Sequence, residues 1–259
     1  MKIFFAESRP DYASYTFNYG IYCVKETQSE LPAIYNQGFL PYSGDSNLNY
    51  ELFYLARSLR VDLDRFEDSS ENRRVHRKTQ ELHIEMNLLE KSELLSSDSA
   101  FLSFAQDYVQ ARISTDHMSK ARLNYILQLD IGSHIFQFKI DGKPVGYVLA
   151  VIEDSILHYW FSFFDVELMH SHALGKWMMW KVITWAKKNG LSQVYLGTCY
   201  GEKSLYKVRD HKGLSFYDGI SWNPDVKLLK SWCKSDHENS WIDRLKQAPD
   251  KNDYLNQLK

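Results

Sequence analysis

"HALGKWMMWKVITWAKKNGLSQVYLG", residues 172–197, decides the fold. It reads as a turn with Gly175, an amphipathic helix over 173–189, a stop at Asn189–Gly190, and a short apolar strand ending at Gly197. Trp177, Met178 and Trp180 fall at helical spacing, so they belong to a buried face packed on a sheet. The strand after the helix is apolar throughout, as expected where both faces of a sheet are covered. A helix that begins at a glycine turn leaves backbone N–H groups bare, and those groups with the helix dipole favour an anion. Gly175 also fits a second reading, in which it only permits a tight helix entry.

Outward from that unit, three strands precede it: "HIFQFKI", "PVGYVLAVI" and "ILHYWFSFF", joined by the hairpin turns "DGK" and "EDS". Before them lie two helical segments, one over 99–112 with Ser99 as a cap and one starting from Asp116. After the quoted stretch come a helical "EKSLYKVRDH" and a last strand, "LSFYDGISW". The first hundred residues are different. "KIFFA" and "SYTFNYGIYCV" read as strands, "LPAIYNQG" as a short helix closed at Gly38, and residues 49–63 as one strand. "SSENRRVHRK" reads as a helix capped by Ser70, and "ELHIEMNLL" alternates again. The expected organisation is a β-rich N-terminal domain over 1–96, a second domain over 97–235, and a polar tail over 236–259.

Composition sets limits. The chain has 259 residues, a net charge of −2 and an aromatic share of 15%, so it is no polycation, and any nucleic-acid contact must come from a local patch. Cys23, Cys199 and Cys233 are far apart and form no Cys-x-x-Cys pair, so a cysteine-rich zinc or iron–sulfur site is not expected. No apolar run is long enough to cross a bilayer, and dispersed cysteines without a leader pattern read as thiols of a cytoplasmic protein.

The element order resembles that of the GNAT acetyltransferase superfamily, an α+β fold with a mixed sheet and flanking helices. In that superfamily the turn before the long helix binds the pyrophosphate of coenzyme A. His170, Ala173 and Gly175 fall at the spacings of its pattern, with Lys176 beside them. A narrower resemblance covers residues 100–222. Leu174–Gly175, "GL" at 190–191, "VYLG" at 194–197 and "KSLYK" at 203–207 are similar to the C-terminal half of the arginyl-tRNA–protein transferases and their bacterial leucyl relatives. The strand "WFSFFD" is similar to an aromatic strand of that family, with Asp165 where the family has an acid. "YNQGFLPYSGD" and "SSENRRVHRK" match its N-terminal half more loosely. The cysteines that half usually carries are missing here, which removes the basis for a metal or cluster.

The resemblance implies an aminoacyltransferase. A protein or peptide N-terminal amine would attack the ester that joins an amino acid to tRNA, with aminoacyl-tRNA as donor and no cofactor. It implies Tyr206 as proton relay to the leaving ribose oxygen, and Glu202 and Asp165 as base or amine ligands. Lys203 and Lys207 would bind substrate. The densest basic stretch, with Arg57, Arg73, Arg74 and Arg77, would meet tRNA phosphates. Each of these also has a plainer reading: Tyr206 packing on the sheet, Glu202 and the basic residues as a solvated face, Asp165 as a turn cap. The alternative activity is N-acylation from acetyl-CoA through the same turn.

Overall fold

The computed structural model describes residues 1–13, 15–44, 51–97, 100–113, 118–236, 250, 252 and 256. In chain order the elements are β1 (Lys2–Asp11), β2 (Thr16–Val24), α1 (Leu31–Asn36), β3 (Phe39–Pro41), β4 (Leu52–Leu55), β5 (Ser58–Asp62), α2 (Ser70–Thr79) and β6 (Glu85–Glu90). Then follow α3 (Lys91–Ser97), α4 (Ala100–Arg112), α5 (Lys120–Gln128), β7 (His134–Ile140), β8 (Lys143–Glu153), β9 (Ile156–Phe164), α6 (Val166–His172) and α7 (Leu174–Lys188). The chain continues through β10 (Gln193–Thr198), a 3-10 segment at Glu202–Lys207, β11 (Leu214–Tyr217), β12 (Trp222–Asn223) and α8 (Val226–Ser235).

Two sheets form, a small antiparallel one in the order β1-β2-β4-β3 and a large mixed one in the order β12-β11-β5-β10-β9-β8-β7-β6. The expected boundary at 96/97 does not divide them. β5 and β6 both come from before residue 97, yet β6 forms one edge of the large sheet and β5 lies between β10 and β11. The stretch 49–63, read as one strand, is two. Leu52–Leu55 pairs inside the small sheet, and Ser58–Asp62 pairs antiparallel with β10 and β11. Both pieces are equally strand-like, and periodicity carries no information about which sheet a strand joins.

Local chemistry explains the turns. Asp141 and Gly142 both take positive φ (48° and 77°), as a two-residue hairpin turn between β7 and β8 requires. The stop of α7 is a full Schellman motif, in which Leu191 N–H donates to Ala186 O and Gly190 N–H to Lys187 O, with Gly190 left-handed. α2 is capped by Ser69, whose hydroxyl accepts from Asn72 N–H at 3.0 Å, one residue before the expected Ser70. The expected cap Ser99 and helix start Asp116 lie outside the described residues, as does most of the 236–259 tail; α5 is capped by Ser119.

β8 alternates between the two faces of the large sheet. Val148 and Ala150 join a core with Trp177, Met178, Trp180, Val182 and Ile183 of α7, with α2 and α8 on the same side. Tyr147 and Leu149 face α4 and α5. Val151, Ile156 and Tyr195 face α1 and the small sheet. The small sheet therefore sits over the part of the large sheet where β9 meets β10.

Candidate active site

β9 and β10 run parallel but pair over only three residues, Ile156–His158 against Gln193–Tyr195. β9 continues to Phe164 and β10 to Thr198 without meeting again. The cause lies at Gly197, which takes a φ of +79° next to a register shift in the β10–β5 ladder between Tyr195 and Gly197. A left-handed residue at a bulge turns a strand away from its neighbour, and glycine takes that conformation without strain.

The gap opens a cleft of about 400 Å³. His158 to Ser162 of β9 and Leu196 to Thr198 of β10 form its sides. Tyr206, Lys207 and Met179 of α7 line it as well, as do Leu40, Ser43 and Tyr54, Tyr108 of α4 and Arg122 of α5. Tyr159, Leu196 and Met179 belong to the core on the α7 side, whereas His158 packs on Tyr35 beneath the small sheet. The cleft is thus lined from both faces of the sheet. No carboxylate lines it among the described residues.

Of the expected site residues, the structure brings Tyr206 and Lys207 into this cleft. Loss of water raises the Tyr206 phenol to about 12, although the side chain as a whole is 56% exposed. Lys207 Nζ donates to Thr198 O at 3.0 Å, and burial lowers its ammonium below the usual lysine range. Among the described residues Lys207 has no ion-pair partner. Arg122 donates from Nε and Nη2 to the backbone oxygen and hydroxyl of Ser43.

His158 is a site residue that sequence reasoning misses. It is 1% exposed, its Nδ1 lies 2.9 Å from the Tyr35 hydroxyl, and its Nε2 has no partner. Burial, and then the charge of Lys207, lower its pKa to about 3, so the ring is neutral at ordinary pH. The sequence shows a histidine inside a strand, but its partner is 123 positions away and no local pattern links the two.

The start of α7 is a closed corner. Asp165 caps α6, its carboxylate accepting from Leu168 N–H at 2.8 Å. His170 lies in the last turn of α6, and Ala173, with φ 55°, joins α6 to α7 without a loop. A Cβ on Gly175 would stand 2.5 Å from the tip of the Phe164 ring, so this glycine lets that ring pack close against the helix start. Lys176 Nζ is held by Asp210 at 2.6 Å and Glu71 at 3.1 Å. Glu71 stays ionised, lowered to about 2 by its bonds to Arg74 and Lys176.

The remaining expected residues lie elsewhere. Glu202 and Lys203 are exposed on the 3-10 segment and do not line the cleft. Arg57 is a buried clamp. It pairs bidentately with Asp236 at 2.8 and 3.1 Å, donates to Cys199 O, and stacks on Tyr200 and Trp232. Arg73 and Arg77, with Lys78, lie on the solvent side of α2, whereas Arg74 is tied to Glu71. Among the described residues no helix is long and apolar enough to cross a membrane.

A mixed sheet whose central parallel strands part beside a glycine, with a helix–strand unit between them, is the architecture of a GNAT-type acyltransferase domain. The chain belongs to the acetyltransferase (GNAT) domain family, whose sequence profile matches residues 73–208. A comparison with curated proteins finds no significant match. Similar solved structures include L-PGS from Bacillus licheniformis, at 12% identity and TM-score 0.41 over 68% of this chain and 51% of that one. They also include FemX, at 9% and 0.40 over 69% and 63%, and a GCN5-related N-acetyltransferase from Anabaena variabilis, at 12% and 0.35 over 75% and 45%. This chain covers less than two-thirds of each of those structures.

Proposed function

We propose that this acyltransferase domain takes an aminoacyl group from the ribose ester of aminoacyl-tRNA and transfers it to the N-terminal amine of a protein or peptide, in the cleft between β9 and β10. The observation that carries the choice of donor is the closed start of α7. A coenzyme A pyrophosphate there would draw on the helix start and on a free cation beside it. Gly175 instead packs against the Phe164 ring, and the Lys176 charge is already neutralised by Glu71 and Asp210. The similarity of residues 172–207 to the aminoacyl-tRNA–protein transferases supports the same donor.

The chemistry is aminolysis of an activated ester, so positioning supplies much of the rate. The amine nitrogen adds to the carbonyl carbon, and the carbonyl π electrons move onto oxygen. Collapse reforms the carbonyl and breaks the bond to the ribose oxygen. Tyr206 hands its proton to that oxygen and regains one from the attacking nitrogen, so the products are an amide and a free ribose hydroxyl. A phenol raised to about 12 is protonated and able to donate. Asp165, as a helix cap, and Glu202, outside the cleft, have no part in this scheme. Arg73, Arg77 and Lys78 on the solvent side of α2 offer the phosphate contacts.

The test is transfer itself. The protein is incubated with a charged tRNA mixture or with acetyl-CoA and a peptide library, and added mass is read at peptide N-termini. An aminoacyl mass is expected. An acetyl mass alone would assign the cleft to acyl-CoA.

A further inference from the structure

We infer that His158 and Lys207 form a two-donor cradle beside Gly197 that receives the carbonyl oxygen of the transferred group when it becomes an oxyanion. The inference rests on the acyl-transfer reading and assigns that site a stabilising pair.

The geometry comes from Gly197. A Cβ built there would meet no atom closer than Lys207 Nζ at 3.6 Å and His158 Nε2 at 3.9 Å. Two nitrogens from different elements thus converge on one vacant point at the mouth of the strand gap. Lys207 uses one N–H on Thr198 O and has two more to give. His158 is a donor at Nε2 because of Tyr35. That hydroxyl is fully buried, and Nδ1 is its one hydrogen-bond partner among the described residues. If Nδ1–H donated to Tyr35, both the phenolic proton and the Nε2 lone pair would be buried without partners. If Tyr35 donates to Nδ1, a single group is left over, the Nε2–H, on the nitrogen 3.9 Å from where a Gly197 Cβ would sit. A neutral imidazole kept from protonation is suited to polarising a carbonyl without competing for its proton. No carboxylate in the cleft, among the described residues, opposes a developing negative charge.

In the reaction, the pair of electrons displaced from the C=O bond rests on this oxygen while the amine adds. It returns when the ribose oxygen leaves, so neither donor gives up its proton. Donors that act only on the oxyanion raise the chemical rate and leave ground-state binding unchanged.

Two measurements test it on the full chain. In the first, single-turnover transfer is compared for wild type, His158→Leu, His158→Gln and Gly197→Ala. Leu should slow transfer about 10²-fold or more with donor KM little changed, the scale of removing one oxyanion donor. Gln, which keeps an N–H, should recover part of the rate. Gly197→Ala puts a methyl in the cradle and strains the left-handed φ of +79°, so it should slow transfer and is read only beside the His158 variants. Full rate in the Leu variant would overturn the inference, and so would an effect that falls wholly on KM. The second measurement needs no activity. The imidazole nitrogen NMR signals of His158 should show the neutral Nε2–H form down to pH 5. The Nδ1–H form in wild type would overturn the inference even if transfer occurs. A wild-type chain inert with every donor would overturn the acyl-transfer reading and the carbonyl as occupant, whereas the tautomer result tests the donor alone, which separates the two failures.

Discussion

Acid should destabilise this fold through His158 in a way a single substitution can isolate. Unfolded, the ring takes a proton near pH 6.5; folded, burial holds its pKa at about 3. Between those values the unfolded chain binds a proton that the native chain refuses, so stability is full above pH 6.5 and is lost as pH falls toward 3. From pH 6 to pH 5 the unfolded ring goes from about three-quarters to nearly fully protonated while the native ring stays neutral, which costs about 1.2 kcal/mol. His211, lowered to about 4 by burial, adds a loss of the same sign, present equally in wild type and in a His158 variant. The assay is urea unfolding at pH 6 and pH 5, followed by tryptophan fluorescence, for wild type and His158→Gln. The variant's lower absolute stability does not matter; its loss between the two pH values should be smaller than wild type's by about 1.2 kcal/mol. Parallel losses would mean that the ring accepts a proton in the native state, and the account of a buried neutral histidine would fail.

Four further outcomes are expected. Tyr206→Phe should lower single-turnover transfer about 10²-fold and leave donor affinity nearly unchanged, as seen by rapid quench and by titration. Reversing Arg73, Arg77 and Lys78 to Glu should weaken tRNA binding and flatten its log–log salt dependence by about 0.9 for each phosphate no longer neutralised, measured by filter binding. Arg57→Ala should cost about 3 kcal/mol in urea unfolding, because the largely buried Asp236 loses its bidentate guanidinium and the bond from Gly201 N–H does not replace that charge, yet leave the salt dependence of tRNA binding as it was. Gly213→Ala should cost about 3 kcal/mol, since its φ is +79° and the new Cβ would stand 2.7 Å from Asp62 O.

The helix–strand unit at 172–197 and the three strands before it are readable because their signals are clean: a 3.6 period along α7, a continuous apolar run along β8, and turn residues with positive φ between the strands. What cannot be read depends on partners far away in the chain. β5 looks like the continuation of β4 until its ladder partners, Gln193 to Thr198, are known. Lys176 looks like a free cation at a helix start, but Glu71 and Asp210, distant in sequence, neutralise it. Arg57 looks like one more residue of a basic patch until Asp236, 179 positions on, closes over it. Within the cleft, Tyr206 and Lys207 are legible through the "KSLYK" motif. His158 is not, since its character comes from Tyr35 and from burial under a second sheet. α8 escapes the sequence reading although Leu229 and Cys233, buried in the structure, stand four residues apart on one face of it; the lysines between and around them give the stretch the look of a polar end.

The most direct test of where the chemistry occurs is a crystal structure with a non-hydrolysable aminoacyl-adenosine, in which an amide replaces the ribose ester. The account predicts that the aminoacyl carbonyl lies in the gap between β9 and β10, its oxygen within hydrogen-bonding distance of His158 Nε2 and Lys207 Nζ, and the ribose end near Tyr206. An analogue seated outside that gap, or no analogue binding while coenzyme A occupies the start of α7, would contradict it.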